Sequence, residues 1–209
     1  MPPKVKFDRQ AVLDAAFTIV RREGVEALNA RRIAAALGCS TQPLFRAFSS
    51  MEEIRGEMGR MALGCFEDYL RRSPALDPLP YKASGLAYLL FAKEEPRLFR
   101  LLFMCDRLSD GSAAGRDEAA EAYVLEALMG KTGFTRRQAE DFHLQMFIFT
   151  HGLASMIATN YVAYDQPSLS RLLTQQYEAL MAWAALGERA VDGARRQAAE
   201  STDVYGKEK

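Results

Sequence analysis

The stretch LNARRIAAALGCSTQPLFRAFSSMEEI (28–54) sets out two short helices with a tight turn between them. Asn29 can cap the first helix, and Gly38 can end it because glycine readily adopts the left-handed backbone of a tight turn. Ser40 is then suited to cap a second short helix over 41–47. Two short helices joined by a glycine-containing turn are the elements of a helix-turn-helix.

Longer helices are expected on both sides of this motif. Asp8 can cap a helix over 8–23 that carries an apolar stripe and stops at Gly24. Ser50 and Glu53 form an S-x-x-E capping box, which predicts the start of a long helix that reaches about residue 72. The helix-turn-helix is therefore expected within a small three-helix unit at the N-terminus.

The rest of the sequence is also helical in pattern, because Ala, Leu, Arg, Glu and Met dominate and strand-like alternation is absent. The proline-rich stretch SPALDPLP (73–80) breaks the chain. Thr135 and Gln138 form a T-x-x-Q capping box ahead of a long helix. We expect helices over 81–93, 98–103, 118–129, 136–161 and 165–187, a surface loop over 106–118 and a frayed tail from 188.

The predicted fold class is all-α with two domains. Residues 1–55 hold the three-helix helix-turn-helix domain, and residues 56–190 form a helical bundle. The tail at 191–209 is polar and is expected to be flexible.

Charge is unevenly distributed, although the net charge is zero. Residues 1–46 carry eight basic and four acidic groups, so the remaining residues sum to −4. A basic N-terminal region followed by an acidic remainder is expected if only the N-terminal region contacts the phosphates of DNA. Three scattered cysteines, the lack of a secretory pattern and the absence of a long apolar run predict a cytoplasmic protein that does not span a membrane.

The second short helix is expected to present one face to DNA. Leu44 and Phe48 are spaced to anchor its other face. Polar side chains on the free face could then hydrogen-bond to base edges or phosphates in a major groove, and both helix N-termini could add backbone N–H groups. The candidate DNA-binding residues are Asn29, Arg31, Arg32, Ser40, Thr41, Gln42, Pro43, Phe45 and Arg46.

Residues 28–54 resemble the signature of the TetR family of transcriptional regulators. The matching positions are the Ile-Ala pair of the second helix (33–34), the turn (37–40), the Leu-Tyr-x-x-Phe pattern of the recognition helix (Leu44, Phe45, Phe48) and the start of the next helix (52–54). The resemblance covers roughly residues 8–56. It implies a homodimeric repressor that binds a palindromic double-stranded DNA operator and responds to a small ligand.

Two positions depart from the family pattern. Phe45 stands where many members have a tyrosine whose hydroxyl contacts phosphate, and Met51 stands where a lysine is usual. Each departure removes a phosphate partner. DNA affinity is then expected to depend on Thr41 and on arginines of the motif.

The two long helices near the C-terminus supply a candidate dimer surface. TetR-like regulators usually dimerise through a four-helix bundle, which these helices resemble. The candidate interface residues are Phe149, Leu153, Met156, Leu169, Leu172, Leu173, Leu180 and Trp183. For each of them, a place in the core of the protomer is the alternative.

The most apolar stretch, AYLLFAKEEPRLFRLLFMCDR (87–107), resembles the ligand-domain segment of one TetR subgroup, as does THGLASMIA (150–158). Aromatic and methionine side chains favour an apolar or aromatic ligand, because small-molecule pockets are mostly hydrophobic with few polar anchors. The candidate lining residues are Tyr88, Phe91, Phe99, Phe103, Met104, His143, Met146, Phe147 and His151. Each could instead be an ordinary core residue.

Two other functions are alternatives to a regulator. An enzyme acting on an apolar substrate is disfavoured, because the sequence has no G-x-S-x-G, H-E-x-x-H, CxxC or glycine-rich phosphate motif, and no catalytic residue is expected. His143 and His151 lack a third ligand, so neither a metal nor another cofactor is expected. The main alternative is a ligand-binding dimer that has lost DNA binding through Phe45 and Met51.

Overall fold

A computed structural model describes residues 8–105 and 118–205, apart from the side chains of 118–121, 123 and 187–205. Within these residues the chain is helical without any β-strand, which confirms the predicted fold class. The helices are α1 (Arg9–Glu23), α2 (Ala30–Ala36), α3 (Leu44–Ala47), α4 (Met51–Arg72), α5 (Pro80–Glu94), α6 (Pro96–Phe103), α7 (Glu118–Thr132), α8 (Arg136–Ala158) and α9 (Gln166–Tyr205).

The first two helices begin and end where the sequence predicts. The side chain of Asp8 accepts the N–H of Ala11 at 2.8 Å, and α1 ends at Gly24, whose φ is 98°. The side chain of Asn29 caps α2 by accepting a backbone N–H at 3.0 Å. Gly38 takes the left-handed backbone, with φ of 64°, in the turn that follows α2.

The second short helix of the predicted helix-turn-helix is shorter than expected. The sequence placed it over 41–47 with Ser40 as its cap, whereas α3 spans only Leu44–Ala47 and has no side-chain cap. The carbonyl of Thr41 accepts the N–H of Leu44 at 3.2 Å, which makes a separate turn before the helix. Pro43 has no N–H to give to a helical hydrogen bond, so the segment before it forms a turn at little cost.

The helix α4 belongs to both halves of the molecule. Its cap is the hydroxyl of Ser50, which accepts the N–H of Glu53 at 3.2 Å, as predicted. The carboxylate of Glu53 binds the N–H and hydroxyl of Ser49 at 2.7 and 2.9 Å, one residue before the expected partner. Because α4 packs against α1, α5 and α6, our proposed boundary between residues 55 and 56 falls inside a shared helix.

The helix α5 lies at the centre of the C-terminal bundle, where it packs against α4, α6, α7, α8 and α9. Leu86, Leu89 and Phe91 are buried there. A Cβ added at Gly85 would lie 3.3 Å from Leu173, so the missing side chain lets α5 and α9 approach closely. The following helix, α6, starts directly at its proline and packs against α1, α4, α5 and α8.

Both long helices end elsewhere than predicted. The capping box of Thr135 is present in both directions, but α8 ends at Ala158 because Asn160 takes the left-handed backbone with φ of 57°. The last helix continues to Tyr205 instead of ending near Gly187. Alanine, arginine, glutamine and glutamate after this glycine favour helix, which outweighs its cost of about 1 kcal/mol.

The surface loop predicted over 106–118 lies outside the described residues, except for Glu118 at the start of α7. In the part of the chain that is described, no helix combines the length and apolar character that a membrane crossing requires.

Candidate DNA-binding surface and ligand cavity

The helix α3 is anchored by one face and exposed on the other. Leu44 and Phe48 are 0% and 2% exposed and fix it to the three-helix unit. Around them, the predicted DNA-binding residues are exposed or half-buried: Ser40, Thr41, Gln42, Pro43, Phe45 and Arg46. Together they form an exposed to half-buried surface on either side of the buried Leu44.

Only some of the predicted residues on α2 keep their polar groups available. Asn29 is engaged as the cap of the helix, and Arg32 forms an ion pair with Glu23. Arg31 and Arg46 are exposed, and neither forms any of the ion pairs found among the described residues.

Arg9 holds α3 in place, a role that the sequence did not reveal. Its guanidinium donates to the carbonyl oxygen of Ala47 at 2.9 Å and lies 4.1 Å from the ring centre of Phe48. It also pairs with Glu53 and Glu57, each at 2.9 Å. The sequence feature that could have indicated this role is the pair of glutamates one turn apart on α4, because two neighbouring carboxylates favour a cation between them. Arg9 thus joins α1, the end of α3 and the start of α4.

This cluster stays ionised at neutral pH. Hydrogen bonds from the backbone N–H and hydroxyl of Ser49, followed by the bond from Arg9, lower the pKa of Glu53 to about 2. Bonds from Arg60 and then Arg9 lower the pKa of Glu57. The contacts that orient α3 therefore persist well below neutral pH.

A second polar cluster joins the N-terminal unit to the bundle. Arg21 on α1 binds both carboxylate oxygens of Glu95, with 2.8 Å between its Nε and Oε2. Glu95 is only 7% exposed and connects α5 to α6. Arg55 on α4 donates to the carbonyl oxygens of Val25 and Leu28, at 3.1 Å each, and joins α4 to the segment between α1 and α2. The Arg21–Glu95 ion pair joins α1 to the junction of α5 and α6.

A cavity of about 1480 Å³ lies in the C-terminal bundle, bounded mainly by α4, α5, α7, α8 and α9. Its walls are mostly apolar. The aromatic side chains that reach it are Phe66, Tyr81, Tyr88, Phe103, Phe147 and Tyr177. Four of them cluster at one end, where the ring of Tyr88 lies 5.7, 5.0 and 6.1 Å from those of Phe66, Phe103 and Phe147.

Two tyrosine–histidine pairs supply polar groups in this aromatic wall. The hydroxyl of Tyr81 and Nδ1 of His143 share a hydrogen bond of 3.1 Å, and the hydroxyl of Tyr88 and Nδ1 of His151 share one of 2.8 Å. All four residues line the cavity. Burial, more than any neighbouring charge, raises the pKa of Tyr81, so its hydroxyl keeps its proton.

Of the nine residues predicted to bind a ligand, six line the cavity: Tyr88, Phe103, His143, Met146, Phe147 and His151. Phe91 and Phe99 are fully buried behind the wall, and Met104 is 43% exposed beyond the end of α6. The sequence missed Phe66, Tyr81 and Tyr177. Tyr81 could have been found from its spacing of seven residues to Tyr88, which places both on one face of α5.

The predicted dimer residues are divided between the core and the surface. Leu153, Leu169, Leu173 and Leu180 are buried inside the protomer, so their side chains are already covered. Phe149 and Leu172 are half-buried, whereas Met156 and Trp183 are 38% and 66% exposed. Further exposed apolar residues, not predicted, accompany them on the same helices: Leu144, Ile148 and Leu186.

Among the described residues, no group of three or more histidine, cysteine, aspartate or glutamate side chains is arranged to hold a metal ion.

Known proteins are similar to this chain in sequence and in fold. Residues 12–58 match the family described as bacterial regulatory proteins, tetR family. The structure is similar to that of a TetR-like transcriptional regulator from Rhodococcus sp. RHA1, with a TM-score of 0.65 and 18% identity over 87% of this chain and 98% of that chain. It is also similar to the multidrug binding protein EbrR, determined in complex with imidazole, with a TM-score of 0.53 and 20% identity over 80% and 88% of the two chains. No curated protein matched the sequence.

The sequence match covers α1, α2, α3 and the start of α4, which together carry the exposed surface described above. The structural matches extend the shared fold over most of the chain, including the bundle that contains the cavity. Residues 12–58 therefore match the tetR family of bacterial regulatory proteins, and the chain has the fold of TetR-like transcriptional regulators.

Proposed function

We propose that the chain is a repressor that binds a palindromic operator as a homodimer and leaves it when a small apolar or aromatic molecule enters the cavity. The observation that carries this proposal is the position of α6. This helix packs against α1 and α4, while Phe103 at its end lines the cavity. A ligand that contacts Phe103 would push on the same helix that supports the proposed DNA-binding unit, which consists of α1, α2, α3 and the start of α4.

On the DNA side, Gln42, Phe45 and Arg46 form the centre of the proposed interface. Gln42 and Arg46 can hydrogen-bond to base edges, and the exposed ring of Phe45 can contact a thymine methyl group or the sugar backbone. Arg31 on α2 is available for a phosphate. The family relation to regulators favours this use of the surface over an enzymatic one.

The dimer is proposed to form through the exposed apolar side chains of α8 and α9. Leu144 and Ile148 on α8 are 54% and 62% exposed, and Trp183 and Leu186 on α9 are 66% and 62% exposed. Apolar groups concentrated on one surface commonly mark an interface. Two copies related by a two-fold axis would bury these residues in a four-helix bundle and present two recognition helices to successive half-sites.

Ile148→Glu tests this interface, because it places a charge in the proposed contact without disturbing a buried side chain. Sedimentation is expected to show a dimer for the unchanged chain and a monomer for the variant. Glu178→Gln, which changes a charge on α9 outside this surface, is the matched control and is expected to stay dimeric. A variant that dimerises as tightly as the unchanged chain would contradict the proposed interface.

DNA binding is tested by anisotropy with a labelled duplex from the region upstream of the chain's own gene. Selective binding that weakens as salt rises is expected, since phosphate contacts release counterions. Arg46→Ala should lower the affinity about tenfold or more, which corresponds to the 1–3 kcal/mol of a base or phosphate contact.

Arg171→Ala is the matched control for this titration, because Arg171 is an exposed arginine on α9, outside the motif. Its affinity for the duplex is expected to equal that of the unchanged chain. A folded dimer that binds no duplex selectively, across a library of random duplexes as well, would contradict the repressor and favour a ligand-binding dimer.

A further inference from the structure

We propose that the cavity selects an elongated aromatic molecule with a hydrogen-bonding group at each end. This inference rests on the proposed ligand response and deepens it. The juxtaposition that carries it is the presence of two equivalent tyrosine–histidine pairs, Tyr81 with His143 and Tyr88 with His151, along one apolar cavity.

The two pairs follow one another along the length of α5 and α8. Tyr81 and Tyr88 are seven residues apart on α5, and His143 and His151 are eight residues apart on α8. At a rise of 1.5 Å per residue, the pairs are separated by about 10.5 Å along α5 and about 12 Å along α8. Seven residues are close to two helical turns, so both tyrosines lie on one face of α5, whereas the two histidines are about 80° apart around α8. All four side chains line the same cavity.

The polar side chains in the wall between the two pairs have partners within the protein: Ser84 donates to the carbonyl of Tyr81, Lys82 pairs with Asp77, and Thr150 donates to the carbonyl of Met146. The rest of this wall is apolar, with Gly85 between the tyrosines on α5 and Met146 and Phe147 between the histidines on α8. The ring of Phe147 stacks on that of His151, with 5.6 Å between centroids and 27° between planes. A flat aromatic body fits this middle section, since aromatic rings prefer offset or edge contacts with other rings.

Each pair can bind a polar group without giving up its internal bond. A tyrosine hydroxyl has one donor and two acceptor positions, so it can contact a ligand hydroxyl while it remains bonded to imidazole. The same flexibility means that each pair accepts a ligand group that donates or accepts. One polar group at each end of the ligand would use both pairs, whereas a ligand with one polar group would use only one.

Charged residues also line the cavity, and two of the cations among them are paired. Lys82 is paired with Asp77 at 3.0 Å, and Arg136 is paired with Glu140 at 2.8 Å. Further charged residues line it as well: Glu67, Lys131, Asp141 and Glu178. Neutral probes therefore test the two tyrosine–histidine pairs without adding a charge that these residues would attract or repel.

Three probes of matched shape test this inference: biphenyl, 4-hydroxybiphenyl and 4,4′-dihydroxybiphenyl, titrated into the full chain by calorimetry without DNA. The affinity is expected to rise about fivefold with each hydroxyl, the typical effect of one hydrogen bond. Equal affinity for the three probes, no gain from the second hydroxyl, or no binding of any probe to the folded chain would overturn the inference.

Tyr81→Phe and Tyr88→Phe each remove one hydroxyl and keep the ring. Each is expected to abolish the gain from one probe hydroxyl, and the double variant should bind the three probes equally. Tyr69→Phe is the matched control, because that hydroxyl donates to Glu94 at 2.6 Å outside the cavity, and it should keep the full gain. If thermal melting shows that a tyrosine variant does not fold, His143→Phe or His151→Phe removes the imidazole partner of that tyrosine and should lower the gain from one probe hydroxyl without abolishing it.

The two proposals fail separately. A chain that prefers the dihydroxy probe through both tyrosines, yet binds no DNA, would contradict the repressor and support this inference. A chain that binds its operator selectively but does not discriminate between the probes would support the repressor and overturn this inference.

Discussion

The DNA-binding unit and the cavity are held by different kinds of contact. In the unit, Arg9 alone joins three helices through ion pairs, a backbone hydrogen bond and a ring contact. Around the cavity, the rings of Phe66, Tyr88 and Phe103 meet one another at 5.0 to 5.7 Å. Directional polar networks favour a single arrangement, whereas apolar rings can pack in several. We therefore expect the surface of α3 to keep its shape while the cavity adapts.

The largest expected effect is a loss of stability when a buried side chain of the DNA-binding unit is truncated. Leu44→Ala removes a fully buried side chain and is expected to lower the free energy of unfolding by about 2–5 kcal/mol in urea denaturation. Phe45→Ala, at the next residue but 49% exposed, should change it by less than about 0.5 kcal/mol. Equal losses for the two variants would contradict the orientation of α3.

The contact between the two regions is expected to be of intermediate strength. Arg21→Met leaves the buried carboxylate of Glu95 without its cation and should cost about 1–2 kcal/mol, limited because Arg21 is half exposed to water. Arg22→Met changes the neighbouring exposed arginine and serves as the control, with no measurable loss. If both variants unfold at the same urea concentration, the ion pair does not hold the regions together.

The polar character of the DNA-binding unit predicts a specific acid sensitivity. Because the pKa of Glu53 falls from 4.5 to about 2 on folding, its stabilisation is complete above pH 4.5 and is lost as the pH falls toward 2. Glu53→Gln should therefore be less stable than the unchanged chain at pH 6, and this difference should shrink between pH 4.5 and 2.

Arg9→Met separates the contributions to this acid sensitivity. It keeps the two bonds from Ser49, which lower the pKa of Glu53 more than Arg9 does, so most of the dependence on pH should remain. A Glu53→Gln curve parallel to that of the unchanged chain from pH 6 to 2 would show that the carboxylate is not stabilised in the folded chain.

The smallest expected effect is a gain of DNA affinity at the exposed position of α3. Phe45→Tyr adds a hydroxyl that can donate to a phosphate oxygen and should raise operator affinity about two- to fivefold, with no change in unfolding. The gain should disappear when salt weakens the phosphate contacts. Unchanged affinity at low salt would show that Phe45 does not face the DNA backbone.

Local hydrogen bonds explain what the sequence could predict of the fold. Caps such as Asp8, Asn29 and Thr135 bind backbone N–H groups within three residues, so a short window contains everything that decides them. The six cavity residues that were found share a strongly apolar segment or a long helix. Their packing follows from periodicity, which the sequence shows directly.

What could not be predicted depends on residues distant in the sequence. The contact of Arg9 with Ala47 crosses 38 positions, and that of Tyr81 with His143 crosses 62. The division of α9 between core and surface was also hidden, because Leu180 and Trp183 have similar apolar character but face opposite environments. Tertiary packing decides such cases, and local pattern does not contain it.

The central claim is that the cavity and the DNA-binding surface act on one another, and the most direct test is operator affinity with the cavity empty and filled. We predict that saturating 4,4′-dihydroxybiphenyl lowers operator affinity about 5- to 150-fold, and that saturating operator lowers affinity for this probe by the same factor, as linkage requires. A chain that binds both at once, with neither affinity changed, would contradict the account.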